Sequence, residues 1–147
     1  MKVRMNYRAA NPEAFQAMME LAKSTGKKLD PVLEELVKIR VSQLNGCAFC
    51  VDMHAKDLMK LGDYMEHIFL LPVWKEAPVF TESQRAALNF TEHAARIADS
   101  GMPEEVYREA LRHYGEQGLI DLLMAVNTIG AWNRIAITTG MFPGCLG

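Results

Sequence analysis

Cysteine is scarce in this sequence, with 3 in 147 residues. A secreted disulfide scaffold is smaller, much richer in cysteine and usually carries an even number, so that class is set aside. An excess of charge of one sign is also missing: 16 Lys and Arg stand against 18 Asp and Glu, a formal net charge of −2. Nucleic-acid-binding domains show a basic patch or a high pI, and the pI here is about 6.1. The two signs are interspersed, so there is no acidic or basic tail. No run of about 18 apolar residues passes without a charge, and no transmembrane helix is expected. Lys2, Arg4 and Arg8 are not followed by an apolar run. No export signal is therefore expected, and the default location is cytoplasmic. Period-two alternation is missing outside a few residues near Met1 to Met5, which removes sheet architectures. Repeats and low-complexity segments are absent.

What remains is helical. Half of the residues are hydrophobic, enough for one core, and the length predicts a single domain over 1–147. Asn11-Pro12 and Asp30-Pro31 each pair a capping side chain with a proline at the first helical position. The first opens a helix through Phe15, Met18, Met19 and Leu21 that Gly26 should end. The second opens one with Leu33, Leu36, Val37, Val41 and Leu44 on one stripe, which Asn45-Gly46 should stop. A third helix is predicted from about Cys47 to Leu61, and a short one over 64–70. Pro72, Trp74 and Pro78 mark 71–80 as an ordered connector. Thr81-x-x-Gln84 fits a capping box for a helix reaching about Ala98. Ser100 to Pro103 breaks it, and a further helix should end at Gly115. From Glu116 to Thr139, apolar residues cover most of the helical circumference, so this helix should be buried centrally or in a subunit interface. The fold class is all-α, with about six to seven helices.

The chemistry concentrates in Gly46-Cys47-Ala48-Phe49-Cys50-Val51-Asp52-Met53-His54. Cys47 and Cys50 are three apart and His54 follows Cys50 by four, so one helical face can present all three. A close cysteine pair can cycle between dithiol and disulfide. Following a glycine break, Cys47 sits where unpaired N–H groups and the helix dipole favour thiolate. Cys50 and His54 fit a nucleophile with its base. Side chains at i and i+3 lie about 5–6 Å apart between Cβ atoms, and a disulfide wants roughly 3.5–4.5 Å. The first turn after a glycine can tighten that far. Asp57, three beyond His54, either orients the ring or is a solvated helix charge.

Other readings stay open. The cysteines could be two small buried apolar residues. They could form part of a zinc site, which would need Glu35 or His67 to complete it, because no second CxxC or HxxxH is present. His67, His93 and His113 stand singly and read as ordinary histidines. Cys145, in a Gly-rich tail, reads as a free thiol, and the ten Met residues as core filler. A thioredoxin would place its CxxC after a strand, and residues 33–44 have helical periodicity instead.

The stretch Glu35-x11-Cys47-x2-Cys50-x3-His54, followed by Ala55-Lys56-Asp57, resembles the core of the carboxymuconolactone decarboxylase family. The closer branch is that of the alkylhydroperoxidase AhpD-like proteins. Val41 to His54, Glu82-x2-Arg85-Ala86-Ala87-Leu88 and Ala131-Trp132-Asn133-Arg134 resemble that branch too, over about residues 12–140. The resemblance implies an all-helical subunit assembled into trimers or hexamers. It implies a peroxidase (alkylhydroperoxidase) cycle with no cofactor, neither haem, flavin nor metal. Cys50 would attack the hydroperoxide substrate and become a sulfenic acid, and Cys47 would resolve it as a disulfide. His54 and Glu35 would form the proton relay, Glu35 acting through water on Cys47. A thiol or lipoyl-type reductant would restore the dithiol. AhpD itself carries a histidine immediately before its second cysteine; here that residue is Phe49. A redox-sensing module with little turnover is the alternative. The lactone decarboxylase branch is remote, since a redox CxxC has no role in that reaction.

Overall fold

The structure, a computed structural model, describes residues 1–25 and 28–147. Among them are eight α-helices, one 3-10 helix and no strand. The order is α1 (Tyr7–Ala10), α2 (Pro12–Thr25), α3 (Pro31–Asn45), α4 (Ala48–Leu61), α5 (Met65–Leu70), the 3-10 turn Leu71–Glu76, α6 (Glu82–Ala95), α7 (Ile97–Ser100) and α8 (Glu104–Thr139). The two elements beyond the expected six to seven, α1 and α7, are single turns. The expected stop at Gly26 lies outside the described residues.

The caps form as their chemistry requires. Asn11 and Asp30 accept from the N–H groups of Ala14 and Leu33, both at 3.0 Å, satisfying donors that a helix start leaves orphaned. Gly46 ends α3 at φ +74°, a left-handed conformation that costs a residue without Cβ little. Thr81 and Gln84 make both bonds of the capping box.

The connector expected over 71–80 is ordered, and it begins as a 3-10 turn over Leu71–Glu76. Arg85 holds it by donating to the carbonyls of Trp74, Lys75 and Ala77 at 2.9, 2.6 and 3.1 Å. The helix expected to reach Ala98 stops at Ala95, where Arg96 leaves helical geometry before α7. Within one subunit, residues 116–139 are not buried all round, so of the two placements expected for this helix full central burial is not the one seen. Their inward side, with Leu122, Ala125, Ile129, Asn133 and Ala136, is covered, but Ile120 and Ile137 are exposed. The break at Gly115 is present within α8, at φ +68° and ψ 178°.

The core has two parts joined through α3 and α6. One gathers Val37, Val41, Cys47, Cys50, Phe90, Leu122 and Ile129; the other gathers Leu36, Ile39, Leu58, Leu71, Trp74 and Leu88. Glu92 ties α6 to the 3-10 turn and to α3, accepting from Trp74 Nε1 at 2.7 Å and from Arg40 Nε at 2.9 Å. Burial opposes its ionisation, yet those two hydrogen bonds hold its carboxyl below the usual range. Phe90 is among the largest fully buried side chains. Phe90→Ala should lower unfolding free energy by about 3–5 kcal/mol, read as a fall in denaturant midpoint at constant slope. A loss below about 1 kcal/mol would contradict this packing.

Candidate active site

The tight turn at Gly46 separates α3 from α4 and sets Cys47 as the N-cap of α4, in extended geometry at φ −89° and ψ 93°. The Cys50 N–H points back at the Cys47 sulfur, 3.3 Å away. The Cα atoms are 5.3 Å apart and the sulfurs are joined as a disulfide. The tightening expected of a first turn is thus in place. Both cysteines are only 2% exposed, which makes the cavities beside them decisive.

The turn is pinned from α8. Buried Asn133 donates to Ser42 Oγ at 3.0 Å and accepts from Asn45 Nδ2 at 3.0 Å. The Ser42 carbonyl accepts the Cys47 N–H at 2.9 Å. The side chain of one residue in the last helix therefore fixes the approach to the motif.

One turn beyond Cys50, His54 is buried on α4. Glu35 reaches it from α3, with Oε2 2.8 Å from Nδ1 across a sequence separation of 19. Facing a carboxylate, Nδ1 carries the hydrogen, so in the neutral ring Nε2 is the basic nitrogen. Lys38 lies 3.9 Å from Glu35 but pairs more closely with Glu34, at 2.9 Å. Glu35 stands beside the apolar stripe of α3, and the antiparallel packing of α3 on α4 turns it inward.

A cavity of about 290 Å³ opens beside Cys50 and His54. Its walls include Phe15, Met19, Phe49, Met53, Ile129, Trp132 and Met141. Cys47 is not among them. It lines a separate open groove with Ser42, Gln43, Gly46, Ala48, Val51, Asp52 and Ala55. The two cysteines thus line different spaces, with Cys50 on the apolar side. Phe49, where AhpD has a histidine, is a wall of the cavity.

The remaining residues singled out from the sequence go elsewhere, with one exception. Asp57 pairs with Lys60 at 2.7 Å, yet its carboxylate also converges with Glu35 and His54, the three ligand atoms lying within 4.8 Å of one another. That group contains neither cysteine. His67 stacks edge-on against both Tyr64 and Phe80 at 5.3 Å. His93 bonds Ser100 and His113 bonds Glu109. Cys145 is a partly buried free thiol.

Sequence reasoning missed the far wall of the cavity. Tyr7 and Arg8 from α1 line it, together with Leu146 from the tail. Tyr7, Phe15 and Trp132 form an edge-to-face triad with centroids 5.8–6.4 Å apart. Only the aromatic character of Tyr7 and Phe15 near the start of the chain could have signalled it.

No described helix is long and apolar enough to cross a membrane. Over 141 residues the chain is 39% identical to the uncharacterized protein YdfG of Bacillus subtilis, covering 95% of this chain and 96% of that one. A crystal structure of an Agrobacterium tumefaciens protein of unknown function, described there as a candidate antioxidant defence protein AhpD, matches with a TM-score of 0.93 and 38% identity. The match covers 97% of this chain and 99% of that one. The debrominase Bmp8 shares the fold, with a TM-score of 0.83 at 19% identity, covering 93% of this chain and 74% of that one. A fold that carries such a chemistry elsewhere does not choose the reaction here. Residues 12–93 match the model of the carboxymuconolactone decarboxylase family. With that match, the AhpD-like helical frame and the CxxC on its central hairpin, the chain belongs to the carboxymuconolactone decarboxylase family.

Proposed function

We propose that the protein is a thiol peroxidase that reduces organic hydroperoxides through Cys50 and Cys47. What supports this most is the position of Cys50: it lines an apolar cavity together with His54, while its bridging partner Cys47 lines a separate open groove. His54 first takes the Cys50 thiol proton on Nε2, and the resulting thiolate attacks the terminal oxygen of R–O–O–H. The O–O bond breaks, sulfur is oxidised to the sulfenic acid, and the departing RO⁻ takes that proton back from the imidazolium, leaving as alcohol. Cys47, as thiolate, then attacks the Cys50 sulfur. The S–O bond breaks, hydroxide leaves as water with a proton returned through the relay, and the disulfide forms. Glu35 holds the imidazole in the tautomer with Nε2 free and stabilises it when charged. An external dithiol of lipoyl type or a similar thiol carrier reduces the disulfide, becoming a disulfide itself. The cysteine pair needs a reducing compartment for that return, which favours the cytoplasm.

The direct test supplies reduced protein with cumene hydroperoxide and recycled dihydrolipoamide. Hydroperoxide lost should equal dithiol oxidised, one for one. Consumption no faster than the thiol-only blank would remove the reading.

The subunit is proposed to act as a homo-oligomer, trimer or hexamer. Phe69 and Val73 expose 71% and 54% of their surfaces, and Ile120 and Ile137 52% and 44%, apolar surface that a subunit contact would cover. Sedimentation velocity at micromolar concentration should give a species well above the 16.5 kDa of one chain; a homogeneous monomer would contradict it.

A further inference from the structure

The cavity beside Cys50 has a charge asymmetry that its apolar walls conceal. Two cationic side chains, Arg8 and Lys38, line it, and among the described residues no Asp or Glu does. Lys38 is already compensated by Glu34 at 2.9 Å. Arg8 is not. Its closest polar partner is the neutral Tyr7 hydroxyl at 3.5 Å, and none of the ion pairs among the described residues includes it. Arg4, the neighbouring arginine of the same segment, shows the contrast. Its guanidinium is spent on the carbonyls of Thr138 and Ile137 at 2.9 and 3.4 Å.

Arg8 is exposed at the mouth of the cavity and rests against two aromatic rings. Its Cζ lies 4.9 Å from the Phe15 ring centroid and 5.8 Å from that of Tyr7. Contact of a guanidinium with an aromatic ring limits its freedom and leaves its N–H fork available to a planar anion. The cavity therefore combines a thiol beside a base, an aromatic and thioether body, and one uncompensated fork at the wall made by α1. A volume of about 290 Å³ is at the small end of ligand pockets; it suits an aryl-sized body.

We propose that the substrate is an aryl-sized organic hydroperoxide bearing a carboxylate, the carboxylate held by Arg8 and the hydroperoxide presented to Cys50. This rests on the peroxidase reading, which it narrows. The carboxylate takes no part in the bond changes; it is bound before and after the O–O bond breaks, and the product is the matching hydroxy acid. Cavities lined this way gain affinity from apolar burial and selection from the single ion pair.

Two measurements test it. The first is calorimetric binding of unreactive 4-isopropylbenzoate and of its neutral counterpart 4-isopropylbenzyl alcohol to the oxidised protein. The benzoate should bind about tenfold tighter or more at low salt. Arg8→Gln should bring the two within about twofold, and Arg8→Lys should restore part of the difference. The second compares kcat/KM for 4-(2-hydroperoxypropan-2-yl)benzoate with that for cumene hydroperoxide. The ratio should exceed about ten in the native protein and fall toward one in Arg8→Gln. Equal binding of acid and alcohol, or a ratio that Arg8→Gln does not move, overturns the carboxylate proposal even if both hydroperoxides turn over. Arg8-dependent binding of the benzoate with no turnover of either hydroperoxide keeps the carboxylate site and removes the peroxidase reading beneath it.

Discussion

Cys50→Ser is expected to lower steady-state hydroperoxide turnover by at least about 10³-fold, because an alcohol at neutral pH lacks the nucleophilicity of a thiolate. Cys47→Ser should abolish steady-state turnover as well, but for a different reason. The attacking sulfur remains beside His54, so one equivalent of hydroperoxide should still be consumed and a sulfenic acid should persist at Cys50. Nothing is left to resolve it. A dimedone adduct on Cys50 in Cys47→Ser, and none on Cys47 in Cys50→Ser, is the signature of this division of labour. The division follows from the two spaces: Cys50 lines the apolar cavity and Cys47 the open groove. Full activity in either variant would end the assignment, and adducts on the opposite sulfur would reverse it.

The second large effect belongs to the relay. His54→Gln removes the proton carrier and should cost about 10²–10⁴-fold in kcat/KM, the usual range for a positioned acid–base group. Glu35→Gln keeps the size and a hydrogen bond to Nδ1, set at 2.8 Å in the native chain, but removes the charge that stabilises the imidazolium. Its loss should be smaller, about 10–100-fold, as for other partners that orient a working histidine. The double variant should be little worse than His54→Gln alone, since the two act as a unit. Additive losses would mean that Glu35 works through something other than the ring. Thermal unfolding of Glu35→Gln separates this from a structural role: activity should fall while the midpoint stays near native.

The motif was legible because its information is local. The offsets of Cys47, Cys50 and His54 along one helix and the left-handed turn at Gly46 depend on neighbours within a few residues, and each appears where its chemistry placed it. The capping box at Thr81 is legible for the same reason. Glu35 is a different case. Nothing within α3 distinguishes it from Glu34, since both flank the stripe carried by Leu33, Leu36 and Val37. What selects it is the packing of α3 on α4, a tertiary fact that the family resemblance supplied and periodicity could not. The side wall of the cavity was less legible still. Tyr7 and Phe15 meet Trp132 more than a hundred residues later, and short segments near both ends of the chain have no pattern that announces where they dock. Residues 116–139 show a related limit. Apolar residues around a whole helix say only that its surface must be covered, centrally or in a subunit interface, and within one chain Ile120 and Ile137 stay exposed.

The most direct test is a thiol titration of the folded, reduced protein before and after one equivalent of cumene hydroperoxide, followed by peptide mapping under non-reducing conditions. The result expected is the loss of two of the three thiols, with Cys47 and Cys50 recovered in a single disulfide-linked peptide and Cys145 still free. If all three thiols remain titratable after the hydroperoxide, the peroxidase reading is wrong.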